Sequence, residues 1–322
     1  MTNGLARPHW HRHATALAHG VGVWAASEAA ARVLVVKGRS ADYWGLREPR
    51  VAADVDLLVE PVNFESLVEF LARAGWGSRE TSATYRATTT HALTLVHPAW
   101  PCDIDVHSRF PGLLGDPSEV FDVLWRDREQ IAVAGVAVAI PGRVHTALIL
   151  GLHALHSSTA NPRHAIEFER VARAIREDES LASALLEAAH EMGALQTAAP
   201  LLEAGGLEPP PPEGNPSEEL LAWWARGAAG SNPTAVSLNY VLGLPWRKRP
   251  VAMWRLFWPT AEDIRRDHPE LGSGPATILR GRISRFGRGL VALPGAIRAR
   301  RAAHRGIASN RVADAARREG AT

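Results

Sequence analysis

The chain has 322 residues, a formal net charge of +2, and 46% hydrophobic and 22% charged residues, which excludes a polycation as a whole. Its single cysteine, Cys102, excludes an internal disulfide and a zinc site built from several cysteines. The apolar runs are shorter than the about 20 residues that a membrane-spanning helix needs. We therefore expect a cytoplasmic protein without a membrane partner.

The first half of the sequence is predicted to alternate between helices and strands. The alanine-rich residues 14–31 predict a helix that leads into a strand at residues 32–36, rather than a signal peptide. A helix with one apolar face is predicted after Asn63. Further segments rich in β-branched residues are predicted as strands or a hairpin: residues 55–59, 91–96, 104–110 and 131–140.

The second half is predicted to be mostly helical. Helices are expected at residues 144–157, 163–176 and 181–192, and the proline run at 209–212 must be extended. The predicted fold is therefore α/β (α+β): a mixed sheet with flanking helices, followed by a helical part. We expect a first domain at residues 1–142 and a second at 143–322.

Two carboxylates lie within one predicted strand. In Asp54-Val55-Asp56 the side chains alternate, so both aspartates project from the same face. Carboxylates this close repel each other unless a cation lies between them, and Mg²⁺ prefers oxygen ligands. A solvated turn or a salt bridge is the alternative interpretation of such a pair.

A later strand repeats the pattern with Asp103, Asp105 and His107. If the two strands are neighbours, a third carboxylate can complete a site for two metal ions. Two such ions activate an attacking oxygen and neutralise a leaving pyrophosphate. Alternation alone does not decide whether Asp103 or Asp105 is the third carboxylate.

These blocks resemble a known family. Its signature is similar to Val35-Val36-Lys37-Gly38 followed by Tyr43, Arg50 and Asp54-Val55-Asp56-Leu57-Leu58-Val59, with a later match at Ile104-Asp105-Val106-His107. Looser similarity continues through the helix at 144–156 to Phe257-Trp258-Pro259, Arg280 and Arg285. The family is that of the uncharacterised nucleotidyltransferases, within the DNA polymerase β-like superfamily. Its aspartate in the second domain has only Glu167 or Glu169 as a counterpart here.

The resemblance implies a nucleotidyltransferase fold and a reaction. A nucleoside monophosphate would pass from an NTP to a hydroxyl acceptor of unknown identity, with release of pyrophosphate. Asp54, Asp56 and Asp105 would be catalytic and would hold Mg²⁺, with two ions expected, and Asp105 would also be the base for the acceptor hydroxyl.

The resemblance also implies nucleotide contacts. Gly38 and Ser40 would offer backbone N–H groups to the triphosphate, and Lys37 or Arg50 would neutralise a phosphate oxygen. Surface charge is the alternative interpretation of Lys37 and Arg50.

The C-terminal segment is strongly basic. Residues 271–313 contain no acidic residue but many arginines, so we expect an anionic partner there. Pro294-Gly295 is expected to separate Arg298, Arg300, Arg301 and Arg305, on a mobile helix, from the arginines before it. Two alternatives to the enzyme stay open: a non-catalytic nucleotidyltransferase-like binding or regulatory module, and a nucleic-acid-binding protein that uses this segment.

Overall fold

The structure is a computed structural model that describes residues 6–81, 92–156, 162–212, 214–230, 232–267 and 274–305. Its central sheet has five strands in the order β1-β2-β5-β4-β3. Their bounds are Val33–Val35 (β1), Asp54–Val59 (β2), Gly77–Ser78 (β3), Ala92–Val96 (β4) and Asp103–His107 (β5).

The sheet is mixed, as predicted. β2 and β5 run parallel, whereas the other neighbouring pairs are antiparallel. A separate antiparallel hairpin consists of β6 (Glu129–Val133) and β7 (Val136–Ile140), which confirms the hairpin alternative for the valine-rich segment.

One face of the sheet packs against helices α1 (Ala6–Glu28) and α3 (Phe64–Arg73). The side chains of Val55, Leu57 and Val59 point to this face and are fully buried. Gly22 of α1 lies so close to β2 that an added Cβ would be 2.6 Å from Cδ1 of Leu57. This close approach fixes α1 directly behind the strand that carries Asp54 and Asp56.

The opposite face of the sheet packs against the helical part of the chain. Its core combines Leu34 and Leu58 from the sheet with Leu148 and Phe168 from the helices, so apolar packing is continuous across residue 142. The helices of this layer are α2 (Gly38–Tyr43), α4 (Pro117–Arg126), α5 (Arg143–His156), α6 (Arg163–Glu177), α7 (Glu179–Glu191) and α8 (Ala199–Ala204). Because Asp54 and Asp56 alternate with the residues of the α1 face, they point towards this helical layer.

The remaining helices are α9 (Glu218–Ala229), α10 (Pro233–Gly243), α11 (Arg249–Phe257), α12 (Ala261–Asp267) and α13 (Pro275–His304). The expected separation at Pro294-Gly295 is wrong, because α13 continues through Pro294 as one helix of 30 residues. Tertiary packing outweighs the lost backbone bond: Ala296, Ala299 and Ala303 are buried, and Arg300 pairs with Glu218 of α9 at 2.8 Å. The later arginines are therefore on a packed helix.

The other predicted elements agree with the structure to within a few residues, except that α1 is longer than predicted and begins at Ala6. The start of the predicted strand at 91–96 lies outside the described residues, as does most of the segment after His304. Within the described part of the chain, no helix has both the length and the apolar character needed to cross a membrane.

Candidate functional site

The parallel pair β2 and β5 brings the predicted carboxylates together. Asp56 lies opposite Asp105, and Asp54 lies opposite Asp103, in the register of the two strands. Residues opposite each other on neighbouring strands project from the same face of a sheet. One ligand atom from each of Asp56, Asp105 and His107 lies within 4.8 Å of the other two. The sheet thus assembles a compact group of oxygen and nitrogen donors.

Asp56 is the buried centre of this group, with 7% of its surface exposed. Its Oδ1 atom contacts Nζ of Lys37 and lies 3.2 Å from Nε2 of His107. Burial alone would raise the pKa of Asp56, but the Lys37 charge and the His107 hydrogen bond outweigh burial and hold it well below its ordinary range. Asp56 is therefore ionised at neutral pH.

Lys37 lies two residues after the end of β1, directly before α2, and its side chain contacts Asp56. Its backbone has a φ of 58°, a left-handed conformation that is uncommon for a residue with a side chain. Burial lowers the pKa of Lys37. The negative charge of Asp56 and the hydrogen bond from Lys37 to Asp56 raise that pKa by more, so its net shift is upward. The structure therefore places the Lys37 ammonium among the carboxylates.

Asp54 and Asp105 are the two carboxylates of the cluster whose pKa values are raised. Burial, followed by the charges of Asp56 and Asp105, raises the pKa of Asp54 to about 6. Burial is also the main cause that raises the pKa of Asp105, against a hydrogen bond from Thr94. The buried Oδ1 of Asp105 has no hydrogen-bond partner within the described part of the chain.

These carboxylates fit a hard divalent cation. An orphaned buried oxygen and a raised carboxylate pKa are both relieved when a cation binds, and oxygen-rich donor sets suit Mg²⁺. His107 adds an imidazole nitrogen, which Mg²⁺ favours less than carboxylate oxygen. The residues present are thus compatible with the expected metal.

The residues predicted to contact phosphate, Gly38, Ser40 and Arg50, lie outside the carboxylate cluster's group of three donors. Gly38 begins α2, and Ser40 is fully buried with its Oγ donating to the Lys37 carbonyl at 2.8 Å. The Ser40 hydroxyl therefore already donates its hydrogen bond to the backbone. Arg50 pairs with the buried Glu167 of α6, with 2.9 Å between Nη2 and Oε1.

Several neighbours of the cluster were not assigned a role from the sequence. His107 shares the alternation of Asp105, so that signal was available, but its contact with Asp56 required the strand pairing. His153 on α5 is close enough for the charge of Lys37 to affect it, and burial lowers the pKa of His153 to about 3. Its ring centroid lies 5.4 Å from that of His164 on α6. No sequence spacing predicts this approach of two helices.

Asp103 is also placed by the fold. It lies on the same alternation as Asp105 but pairs with Arg79. Asp103 and the predicted ligand Asp54 both lie outside the compact group of three donors that could hold a metal.

The comparisons with known proteins give one informative result. Curated protein sequences include no significant match to this chain. The family model described as uncharacterised nucleotidyltransferase matches residues 24–203, more than half of the chain, and includes β1, β2 and β5 with all three predicted carboxylates. The chain belongs to the uncharacterised nucleotidyltransferase family.

Proposed function

We propose that the protein is a Mg²⁺-dependent nucleotidyltransferase that moves a nucleoside monophosphate from an NTP to a hydroxyl acceptor and releases pyrophosphate. The observation that carries the proposal is the opposition of Asp56 and Asp105 on parallel strands in a chain of this family. The acceptor would be a small molecule, a peptide or a protein.

Asp54, Asp56 and Asp105 are the proposed metal ligands. Asp56 and Asp105 form the compact donor group together with His107, and Asp54 joins them from outside that group. When bound, divalent cations neutralise charge on the triphosphate and make the acceptor hydroxyl more acidic. The raised pKa of Asp54 and the orphaned oxygen of Asp105 support this assignment, because both are unfavourable without a cation.

Asp105 is the proposed general base. Its Oδ1 atom would accept the proton of the acceptor hydroxyl while that oxygen forms a bond to the α phosphorus. The bond from the α phosphorus to the bridging oxygen breaks, and pyrophosphate leaves with the electron pair.

The backbone N–H groups of Gly38 and Ser40 are the proposed contacts to the triphosphate, since the Ser40 hydroxyl is already used. The side chain of Arg50 is 39% exposed, which leaves it able to contact a phosphate oxygen beside its Glu167 pair. Lys37 would move from Asp56 to a phosphate oxygen when a metal ion takes over the neutralisation of Asp56.

A non-catalytic nucleotidyltransferase-like module is the second candidate. The contact between Lys37 and Asp56 favours it, because an ammonium beside Asp56 supplies the positive charge that a metal ion would otherwise supply. A chain in which this pair is permanent would bind a nucleotide without turning it over.

The experiment that separates the two functions uses the purified full chain. It is incubated with each labelled NTP, with and without Mg²⁺, in the presence of cell extract as a source of acceptors. A Mg²⁺-dependent labelled product supports the enzyme. Binding of the labelled NTP with no product from any extract supports the non-catalytic module.

A further inference from the structure

Helix α13 has an apolar stripe that the fold leaves exposed. Its members recur at alternating steps of four and three residues, which puts them on one side of the helix: Leu279, Ile283, Phe286, Leu290, Leu293 and Ile297. All of them except Leu293 are among the exposed large hydrophobic residues, with Ile283 60% exposed. The side of α13 that packs against the protein is a different one, lined by small buried residues such as Gly281, Ala296 and Ala299.

The exposed surface continues onto α11. The rings of Phe257 on α11 and Phe286 on α13 are 5.8 Å apart and join the two helices. Trp254 is 65% exposed and stacks on Trp258 at 6.2 Å. Nearby, Trp246 precedes α11 and is also largely exposed. We call these exposed side chains of α11 and α13, with Trp246, the apolar platform.

The charged residues on α11 and α13, the two helices of the apolar platform, are all of one sign. Residues 233–261 and 271–313 contain no aspartate or glutamate, while arginines are frequent in both. The guanidinium of Arg282 lies over the Trp258 ring at 5.1 Å, and that of Arg247 lies over the Trp246 ring at 5.4 Å. Exposed arginines such as Arg280 and Arg301 are on α13 itself. The platform therefore combines apolar side chains with positive charge.

We propose that the apolar platform docks on the surface of an anionic lipid bilayer, with α13 lying in the plane of the membrane. Helices that bind in this way present an apolar side with tryptophan or phenylalanine and a flank rich in arginine or lysine. The stripe from Leu279 to Ile297 is about 27 Å long, which suits contact with an extended surface. The expectation of no membrane partner rested on the lack of a spanning helix, and a helix that lies flat does not span.

Other occupants fit the apolar platform less well. A second copy of the chain would place arginine-rich helices against each other, and like charges repel. Nucleic acid would match the arginines but leave the exposed aliphatic side chains against phosphate. An acidic helix would cover the stripe of α13 but leave the tryptophans of α11 exposed. An anionic bilayer accepts the arginines at its headgroups and the aromatic rings at the interface.

The test is flotation of the full chain with vesicles of phosphatidylcholine alone, or of phosphatidylcholine and phosphatidylglycerol in equal parts. The wild type is expected to float only with the anionic vesicles and to be released by high salt. Ile283→Ser and Leu290→Ser should each weaken binding roughly tenfold, because each removes apolar area from the platform. Arg280→Gln and Arg301→Gln should each weaken it about fivefold.

Matched controls lie in the other half of the chain. Val62→Ser replaces a side chain on a residue that is 81% exposed, and Arg73→Gln removes an exposed arginine, both near α3. Both should bind anionic vesicles like the wild type. The substituted residues are exposed, so circular dichroism should show an unchanged fold in every variant.

Three results would overturn the proposal. One is failure of the wild type to float with anionic vesicles at low salt. Another is equal loss of binding in Val62→Ser and Ile283→Ser. The third is a dimer in sedimentation that Ile283→Ser dissociates, together with no vesicle binding. Vesicle binding is measured without nucleotidyl transfer, and none of these results depends on whether the protein transfers a nucleotide. This proposal and the proposed function can therefore fail separately.

Discussion

Lys37 and Asp56 form a buried ion pair that ties the end of β1 to the centre of the neighbouring strand β2. The pair holds Asp56 ionised, whereas Asp54 on the same face of β2 has a raised pKa. Two carboxylates in one strand are thus in opposite electrostatic situations. Substitutions at the two positions should therefore have different effects on stability, although both should stop transfer.

Asp54→Asn is expected to increase the free energy of unfolding when divalent cations are absent. Its pKa rises from 3.8 to about 6 in the folded protein, so ionisation of Asp54 disfavours the folded state. The cost of ionising Asp54 is absent below the lower pKa and grows between the two pKa values. It is complete above the higher one, at about 3 kcal/mol. Chemical unfolding with EDTA should show the gain at about pH 7 and none at about pH 3.5. An equal difference between variant and wild type at both pH values would contradict this account.

Asp105→Asn should abolish Mg²⁺-dependent NTP binding and transfer, whereas Asp103→Asn should behave like the wild type in both. Asp105 has a buried oxygen without a partner in the described chain, while Asp103 pairs with Arg79 outside the donor group. The two substitutions are chemically identical and two residues apart, so each is the control for the other. Loss of NTP binding and transfer in Asp103→Asn alone would mean that Asp103, two residues before Asp105, is the third carboxylate of the site.

Lys37→Met is expected to destabilise the metal-free protein by about 3 kcal/mol, because it leaves the buried Asp56 carboxylate without its cation. Added Mg²⁺ should restore part of this loss, so the rise in Tm with Mg²⁺ should be larger than in the wild type. Arg39→Met, two residues along the chain, is the control and should respond to Mg²⁺ like the wild type. A Lys37→Met variant as stable as the wild type without metal would exclude the ion pair as a stabilising contact.

Arg50→Gln is expected to raise KM for the NTP about tenfold through loss of a charged contact to phosphate. The alternative is that Arg50 acts only through its pair with Glu167. Glu167→Gln removes that pair without removing the guanidinium, and its KM should stay near the wild-type value. Equal increases of KM in the two variants would show that Arg50 has no role at the nucleotide beyond holding Glu167.

The carboxylates were predictable from the sequence because strand alternation is a local rule. Asp54 and Asp56 share a face whatever surrounds them, and the family resemblance selected Asp105 over Asp103. The contacts of Lys37 and Arg50 were not predictable, since they depend on which residues of other elements lie opposite. The buried Glu167, for example, is more than a hundred residues from Arg50 in the sequence.

The C-terminal helix shows the opposite case, in which a local rule failed. Proline removes one backbone hydrogen bond, and on that basis the sequence predicts a break at Pro294-Gly295. Packing of the small residues Ala296, Ala299 and Ala303 outweighs that loss. One consequence is practical: deleting residues 296–322 removes buried residues, so charge at this end is better tested by single arginine substitutions.

The central claim is transfer of a nucleoside monophosphate by the carboxylates of β2 and β5. The most direct measurement compares NTPs labelled on the α or the γ phosphorus, with the wild type and with Asp56→Asn, Mg²⁺ and cell extract. The α label should become attached to an acceptor and the γ label should appear in pyrophosphate, with both signals lost in Asp56→Asn. Attachment of the γ label to the acceptor, or undiminished transfer by Asp56→Asn, would contradict the claim.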